Sequence, residues 1–323
     1  MIDIMERNGN TMASYCYGID VGGTTIKCGL FKTDGTLVEK WEIPTRTENK
    51  GEAILPDIAK SILDKNEEKR IFKDEISGIG VGVPGPVNAH GDVEFAVNLF
   101  WGYKDLSQEL EEMTGIPAKA GNDANVAALG EAWKGAAEGA QSVIMVTLGT
   151  GVGGGIIING EILTGKHGAG GEIGHACVEH DETERCNCGN KGCLEQYAAA
   201  TGIVRLANRA LEASEADSVL RKETVTAKAV LDAYKEGDAL ACQVMETFGD
   251  KLGRALASFA CVVDPETIVI GGGVSKAGQP LIDCIQKYYE KYAFPVCRKT
   301  PIILATLGND AGIYGAARMV LAK

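Results

Sequence analysis

One pattern constrains this chain more than any other: a strand, a glycine-rich turn and a second strand, met twice. The first copy runs Tyr17–Asp20, then Gly22, Gly23 and Thr24, then Lys27–Lys32, with Thr33-Asp34-Gly35 turning into Thr36–Trp41. The second runs Ser142–Thr147, a glycine turn over Gly149–Gly155, Ile156–Ile158 and a hairpin signal at Asn159-Gly160. The residues of the two copies differ, but the order of elements is the same. This order predicts two similar α/β lobes with a cleft between them, and 323 residues give each lobe room for a core of its own.

The remaining elements fit that plan. Apolar spacing predicts helices over Glu52–Asn66, Asp105–Thr114, Asp123–Glu138, Cys193–Ala213, Thr226–Glu236, Ala239–Val263, Pro280–Tyr292 and Ala311–Ala322. Buried strands are expected at Ile76–Val83, Thr267–Ile270 and Ile302–Ala305. The expected division places residues 1–122 in an N-terminal lobe, with the closing helix 311–323 packed back on it, and residues 123–310 in a C-terminal lobe.

Glycine turns admit phosphate because the missing Cβ lets backbone N–H groups come close. Three such turns follow strands here: Gly22-Gly23, Gly149–Gly155 and Gly271–Gly273. The middle one matches the spacing of a dinucleotide-binding loop, but that motif requires a helix next, and Ile156–Ile158 followed by Asn-Gly reads as strand and hairpin. No Gly-Lys-Ser or Gly-Lys-Thr is present, so the Walker-type loop is also missing. In Asp20-Val21-Gly22-Gly23-Thr24-Thr25-Ile26-Lys27, a carboxylate at a strand end can hold hydrated Mg²⁺ while the turn meets the terminal phosphate of ATP. A plain hairpin, with Asp20 capping the turn, is the competing interpretation.

A net charge of −12 argues against a general nucleic-acid or anionic-membrane surface. No apolar run approaches the ~20 residues that span a bilayer. Met1 to Ser14 lacks the basic start and apolar core of a signal peptide and is read as a leader before the first strand, which makes the cytoplasm the expected location. In a reducing compartment, Cys16, Cys28, Cys177, Cys242, Cys261, Cys284 and Cys297 are expected to be buried small hydrophobes. Cys186, Cys188 and Cys193 are different: three thiols within eight residues, wound by Gly189 and Gly192, favour a tetrahedral metal, usually zinc. A fourth ligand must come from elsewhere, and spacing leaves His167, His175 and His180 all open.

Taken together, these motifs resemble the ROK family (repressor, open reading frame, kinase), and within it the bacterial glucokinases. The resemblance is carried by Asp20–Lys27, Gly82-Val83-Pro84-Gly85-Pro86, Asn122-Asp123-Ala124-Asn125, Leu148–Gly155, Gly171-Glu172-Ile173-Gly174-His175, the cysteine motif ending Cys193-Leu194-Glu195, and Ile270–Val274. It spans Tyr17 to the C-terminal helix.

The resemblance implies a two-lobed actin-like, ribonuclease H-like ATPase fold, and transfer of the ATP γ-phosphoryl group to a hexose, with glucose O6 the expected acceptor. It implies a structural Zn²⁺ on His175, Cys186, Cys188 and Cys193. It implies sugar contacts at Gly85, Asn98, Asn122, Asp123, Glu172, His175 and Glu195. Asp123 is the expected base, with Asn122 free to cap the helix that begins there. Nucleotide contacts are expected at Asp20, Gly22, Gly23, Thr24, Thr25, Lys27, Thr150 and Gly151, with Gly271, Gly272 and Gly273 bordering the adenosine. A homodimer follows from the same resemblance. Stripping the zinc is expected to weaken sugar binding and to disturb ATP binding much less. Within the family the alternatives are N-acetylmannosamine, fructose, mannose or allose kinases. A sugar-responsive repressor is the remaining class, and it requires a helix-turn-helix domain ahead of the first strand.

Overall fold

The computed structural model describes residues 13–222 and 224–321, so most of the expected leader, and Ala322 and Lys323 of the closing helix, lie outside the described residues. Ser14 already belongs to the fold: its N–H donates to the Glu75 carbonyl (2.8 Å) and its carbonyl accepts from Thr33 (3.0 Å). Contacts divide the chain into two compact units. One runs to Asp123 and takes in the segment from Gly312, and the other is Ala124–Ala311.

The first unit is built on β1 (Tyr15–Val21), β2 (Thr25–Lys32), β3 (Leu37–Pro44), β4 (Ile76–Val83) and β5 (Ala118–Asn122). Their order is β3-β2-β1-β4-β5. β1, β2 and β3 form an antiparallel meander, and β4 and β5 continue the sheet in parallel with β1. Tyr17, Ile19, Val81 and Val83 meet Ile54, Ile58 and Ile62 of the helix Ile54–Lys69 in a closed core. The closing helix, Ala311–Leu321, lies so near this sheet that a Cβ on Gly18 or Gly80 would overlap the Ile313 or Ala316 carbonyl.

The second unit repeats the scheme with β6 (Val143–Leu148), β7 (Val152–Ile158), β8 (Glu161–Ile162), β9 (Thr267–Gly271) and β10 (Ile302–Leu304). Its order, β10-β9-β6-β7-β8, is the first sheet's order read in reverse, with the same antiparallel meander and parallel extension. The chain is thus α/β with two mixed sheets of one topology. Its core gathers Val146, Ile270, Phe248, Leu252 and Leu256, the last three from the long helix Ala239–Val263.

The structure corrects the expected elements at four places. The glycine run is mostly strand: Leu148 pairs with Val152, and Gly153, Gly154 and Gly155 lie within β7. These glycines serve packing, since a Cβ on Gly155 would come 2.5 Å from the Ala128 Cβ of the helix Asp123–Lys134. The expected helix from Cys193 is broken at Ala199 (ψ 163°) into Glu195–Ala198 and Ala200–Ala213. β5 and β8 were not expected. Finally, Cys177 and Cys261 are exposed and Cys242 is half-buried, whereas Cys16, Cys28, Cys284 and Cys297 are buried as expected. No helix among the described residues is long and apolar enough to cross a membrane.

Candidate functional site

In the first unit, the β1–β2 turn sets out the phosphate-binding candidates. Its closure is local: Gly22 N–H donates to the Thr25 carbonyl (3.0 Å). Thr45, from the end of β3, steadies the turn from the side, its hydroxyl donating to the Gly22 carbonyl (2.7 Å) and its N–H to the Thr24 carbonyl (3.0 Å). Gly23 and Thr24 are left exposed. Asp20 and Lys27 face one another across the hairpin register, with Lys27 Nζ 3.4 Å from Asp20 Oδ2. Burial raises the pKa of the Asp20 carboxyl above its ordinary value, and the Lys27 cation opposes that rise. The carboxyl rests against the first turn of the closing helix, where a Cβ on Gly312 would come 2.7 Å from it.

The sugar candidates of this unit surround the same turn and the end of β4. Asn98 stands beside Gly23, its Cβ 3.9 Å from where a Cβ on that glycine would be. Gly85 has φ +118°, and a Cβ there would overlap the Phe95 carbonyl. Asn122 ends β5, its amide donating to the Gly85 carbonyl (3.1 Å), and Asp123 opens the next helix. One bond of the Asn122 amide thus reaches Gly85.

In the second unit, the remaining candidates converge on the β6–β7 turn. Gly149 N–H donates to the Gly151 carbonyl (3.0 Å), making a tight turn that presents Thr150. Gly149, Thr150 and Gly273 line one cavity of about 460 Å³, together with Ala200, Ala227, Leu231, Val274 and Ala277. This is the size range of small-ligand pockets. Lys228, Asp232, Lys235 and Lys276 supply its charged rim, with Lys228 Nζ 2.5 Å from Asp232 Oδ2. Gly273 thus borders the cavity, whereas Gly272 (φ +85°) is packed against the Leu148 backbone and Gly271 ends β9. The rim residues were missed in the sequence. For Lys228, Asp232 and Lys235 the only signal was the spacing 228, 231, 232, 235, which is one face of the helix Ala227–Lys235, and Lys276, on the turn Val274–Ala277, carried none.

His175, Cys186, Cys188 and Cys193 bring four ligand atoms within 4.8 Å of one another. Cys188 Sγ is 3.6 Å from Cys193 Sγ, and Cys186 Sγ is 3.8 Å from His175 Nδ1. A tetrahedral zinc with bonds of about 2.3 Å to sulfur requires ligand-to-ligand edges of roughly 3.8 Å, so the donor set fits. The other histidines, His90, His167 and His180, are exposed. With Nδ1 turned to the cysteines, His175 directs Nε2 toward Glu172, 3.9 Å away. Glu195 follows the last cysteine by two residues and sits 3.7 Å from Cys186 Sγ.

A buried carboxylate that sequence reasoning passed over anchors this loop. Glu182 (side chain 2% exposed) accepts from the Tyr197 hydroxyl at 2.7 Å, Arg205 at 2.9 Å and Arg209 at 3.1 Å. Burial alone would raise its pKa, but hydrogen bonds from Arg209, Tyr197, the Glu184 N–H and Arg205 outweigh it and hold the pKa well below the usual carboxylate range. Its only sequence signal was an acidic residue in a charged stretch, which is usually solvated.

The comparisons with known proteins agree on one relationship. A model of the ROK family matches residues 16–323. The glucokinase of Halalkalibacterium halodurans is 45% identical over 309 residues, 94% of each chain. A ROK hexokinase from Thermus thermophilus aligns with TM-score 0.80 at 32% identity, over 95% of this chain and 97% of that one. A ROK glucokinase from Streptomyces griseus, solved with glucose and AMPPNP, aligns with TM-score 0.72 at 32% identity, over 94% and 98%.

Proposed function

The chain belongs to the ROK family, and from that premise we propose the reaction it performs: transfer of the γ-phosphoryl group of ATP to O6 of glucose. It is an ATP-dependent hexose kinase, a glucokinase. The observation that carries this reading is the cavity of about 460 Å³ lined by Gly149 and Thr150 of the β6–β7 turn. An aliphatic pocket beside a strand–glycine turn suits a nucleoside with its phosphates on backbone N–H groups. The 45% identity to a glucokinase over nearly the whole chain supports glucose as the acceptor.

In the reaction, the glucose O6 attacks the γ-phosphorus, the bond from that phosphorus to the β–γ bridging oxygen breaks, and ADP leaves. Asp123 accepts the O6 proton. Asn98, Asn122, Gly85, Glu172, His175 and Glu195 are the residues assigned to the sugar hydroxyls, a task suited to carboxylates, amides and an imidazole. Gly22, Gly23, Thr24, Thr25 and Lys27, together with Thr150 and Gly151, hold the phosphates. Asp20 holds the magnesium that accompanies ATP, which neutralises charge on the transferring group. Positioning and exclusion of water supply most of the rate. Zinc on His175, Cys186, Cys188 and Cys193 would fill all four of its positions with protein, leaving no site for substrate, so its contribution is to shape. The protein is assigned to the cytoplasm, in keeping with ten free cysteines. A homodimer is the proposed assembly, tested by light scattering.

Asp123→Asn tests the core of the reading. The amide keeps the hydrogen-bonding outline and loses the proton acceptor, so glucose affinity stays within a few-fold while kcat falls roughly 10²–10⁴-fold. Near-normal turnover in a folded variant removes Asp123 from the role of base. A panel of glucose, mannose, fructose, allose and N-acetylmannosamine, each with Mg-ATP, fixes the acceptor. The highest kcat/KM on a sugar other than glucose would overturn that assignment.

A further inference from the structure

The expected role of the metal is on the sugar side, through His175. The hydrogen bonds of the second unit lead in another direction. The Glu195 carboxylate stands between the cysteine loop and the phosphate turn. Its Oε1 is 3.7 Å from Cys186 Sγ, and its Oε2 accepts the Val152 N–H at 3.0 Å. Gly151 makes room for it, because a Cβ there would overlap Oε2.

The six residues that follow continue the bracing. Ala200 N–H donates to the Gly149 carbonyl (2.8 Å), and the Thr201 hydroxyl donates to the Thr150 carbonyl (2.9 Å). Every residue of the turn from Gly149 to Val152 therefore either bonds to, or yields space to, the segment Glu195–Thr201. That segment in turn is set by the cysteine loop. Leu194 N–H donates to the carbonyl of Ala176, next to His175 (2.9 Å), and Cys193 N–H donates to Gln196 Oε1 (3.1 Å). Cys193 itself is fully buried. Ala199 is the one extended residue of this segment, between the helix Glu195–Ala198 and the helix that begins at Ala200.

We propose that Glu195 is a positioning residue through which the metal site governs nucleotide affinity. This rests on the zinc and ATP assignments above. With the four ligands gathered, Cys193–Glu195 is fixed, the carboxylate holds the Val152 N–H, and the Gly149–Gly151 turn keeps the shape that receives phosphate. With the ligands released, Cys193–Glu195 loses its anchor, the carboxylate is no longer fixed on the Val152 N–H, and the turn loses its brace. Linkage makes the effect mutual: whatever factor the metal adds to nucleotide affinity, the nucleotide adds to metal retention.

The test measures AMPPNP and glucose affinities by calorimetry on zinc-loaded and chelator-stripped protein, wild type and Glu195→Ala, with circular dichroism confirming that each is folded. In wild type, stripping should weaken AMPPNP about tenfold, about 1.4 kcal/mol. In Glu195→Ala, AMPPNP affinity is already low, and stripping changes it less than twofold. If stripped protein unfolds, the cobalt-substituted enzyme gives the same answer spectroscopically. Its ligand-field bands should shift on adding AMPPNP in wild type and stay still in Glu195→Ala. A folded, stripped wild type that binds AMPPNP within twofold of the loaded form overturns the proposal, as do cobalt bands that AMPPNP leaves unmoved, or a loss confined to glucose. Protein that purifies without stoichiometric zinc overturns the metal assignment beneath it, and loaded protein that binds no AMPPNP overturns the nucleotide assignment.

Discussion

The two glycine turns occupy equivalent places in sheets of the same topology, yet they are held by different means. The β1–β2 turn is closed by its own residues and by Thr45 from the adjoining strand. Its carboxylate, Asp20, is on the strand itself and packs against the segment at Gly312. The β6–β7 turn is braced from outside by Glu195, Ala200 and Thr201, which lie far along the chain beyond the cysteine loop. One topology thus supports a turn that carries its own charged group and a turn that borrows one. The first can keep its shape alone, whereas the second inherits its shape from whatever fixes the loop.

The largest expected effect separates the charges. Asp20→Ala removes the group assigned to magnesium and should lower kcat/KM for ATP about 10²–10³-fold, the usual scale for losing one preorganised electrostatic contact. Glucose affinity without nucleotide should stay within about twofold, because uniform losses would point to damage beyond the nucleotide side. Titration calorimetry with glucose and steady-state kinetics with ATP read the two quantities. A lost glucose affinity with ordinary ATP kinetics would place Asp20 on the other substrate.

A smaller effect compares the glycines. A methyl on Gly151 displaces the Glu195 carboxylate from the Val152 N–H, which costs about 1–2 kcal/mol, a drop of a few degrees in Tm. A methyl on Gly23 meets nothing nearer than Asn98 at 3.9 Å, so Gly23→Ala should leave Tm within about one degree, the range of an unobstructed surface change. Equal shifts in thermal melts of the two variants would erase the distinction between a self-closed and a braced turn.

The smallest effect is in pH dependence, where the half-buried Asp20 of one unit and the buried Glu182 of the other have opposite signs. The folded-state pKa of Asp20 is raised above its ordinary 3.8. Between those two values the folded protein holds the extra proton, so this group's contribution to stability falls as pH rises through the window. Asp20→Asn should therefore gain stability relative to wild type over the same rise in pH, in nucleotide-free and magnesium-free protein. The pKa of Glu182 is lowered from 4.5. Its contribution is full above that value and is lost as pH falls toward the folded-state pKa, so the deficit of Glu182→Gln should shrink in acid. Tm measured against pH for both variants gives the slopes, and slopes of the same sign would contradict the environments described.

Much of this was legible in the chain. β4 at Ile76–Val83 and the helix Ala239–Val263 begin and end where apolar spacing places them, because each is buried along its length and nothing interrupts the pattern. The three thiols of the cysteine loop were legible as a metal-ligand cluster, since thiols so close have few other uses, whereas spacing left His167, His175 and His180 open and only the family resemblance singled out His175, which the structure brings to the thiols. Other features escaped for physical reasons. Gly153–Gly155 read as a turn because glycine is the usual turn residue, whereas here it allows a strand to pass beneath a helix. Ala199 carries no sequence mark of a break. Its extended backbone goes with bonds from Ala200 and Thr201 to a turn some fifty residues earlier. The roles of Glu131 and Glu182 were hidden by their charge. Glu131 is fully buried in an alanine-rich helix and accepts the N–H groups of Ala136, Thr306 and Leu307. Only a partner distant in sequence makes such burial tolerable.

The nearness of the closing helix to the first sheet also sets an order of events during synthesis. β1 and β4 leave the ribosome early, with bare backbone at Gly18 and Gly80 that only the Ile313 and Ala316 turns can cover. Those turns emerge after the whole of the second unit. Domains generally form in the order in which they are made, but here the unit that begins first is finished last. The newborn chain carries one uncovered face of that sheet through most of its translation. That interval is when it is most exposed to misassembly and most in need of chaperone cover.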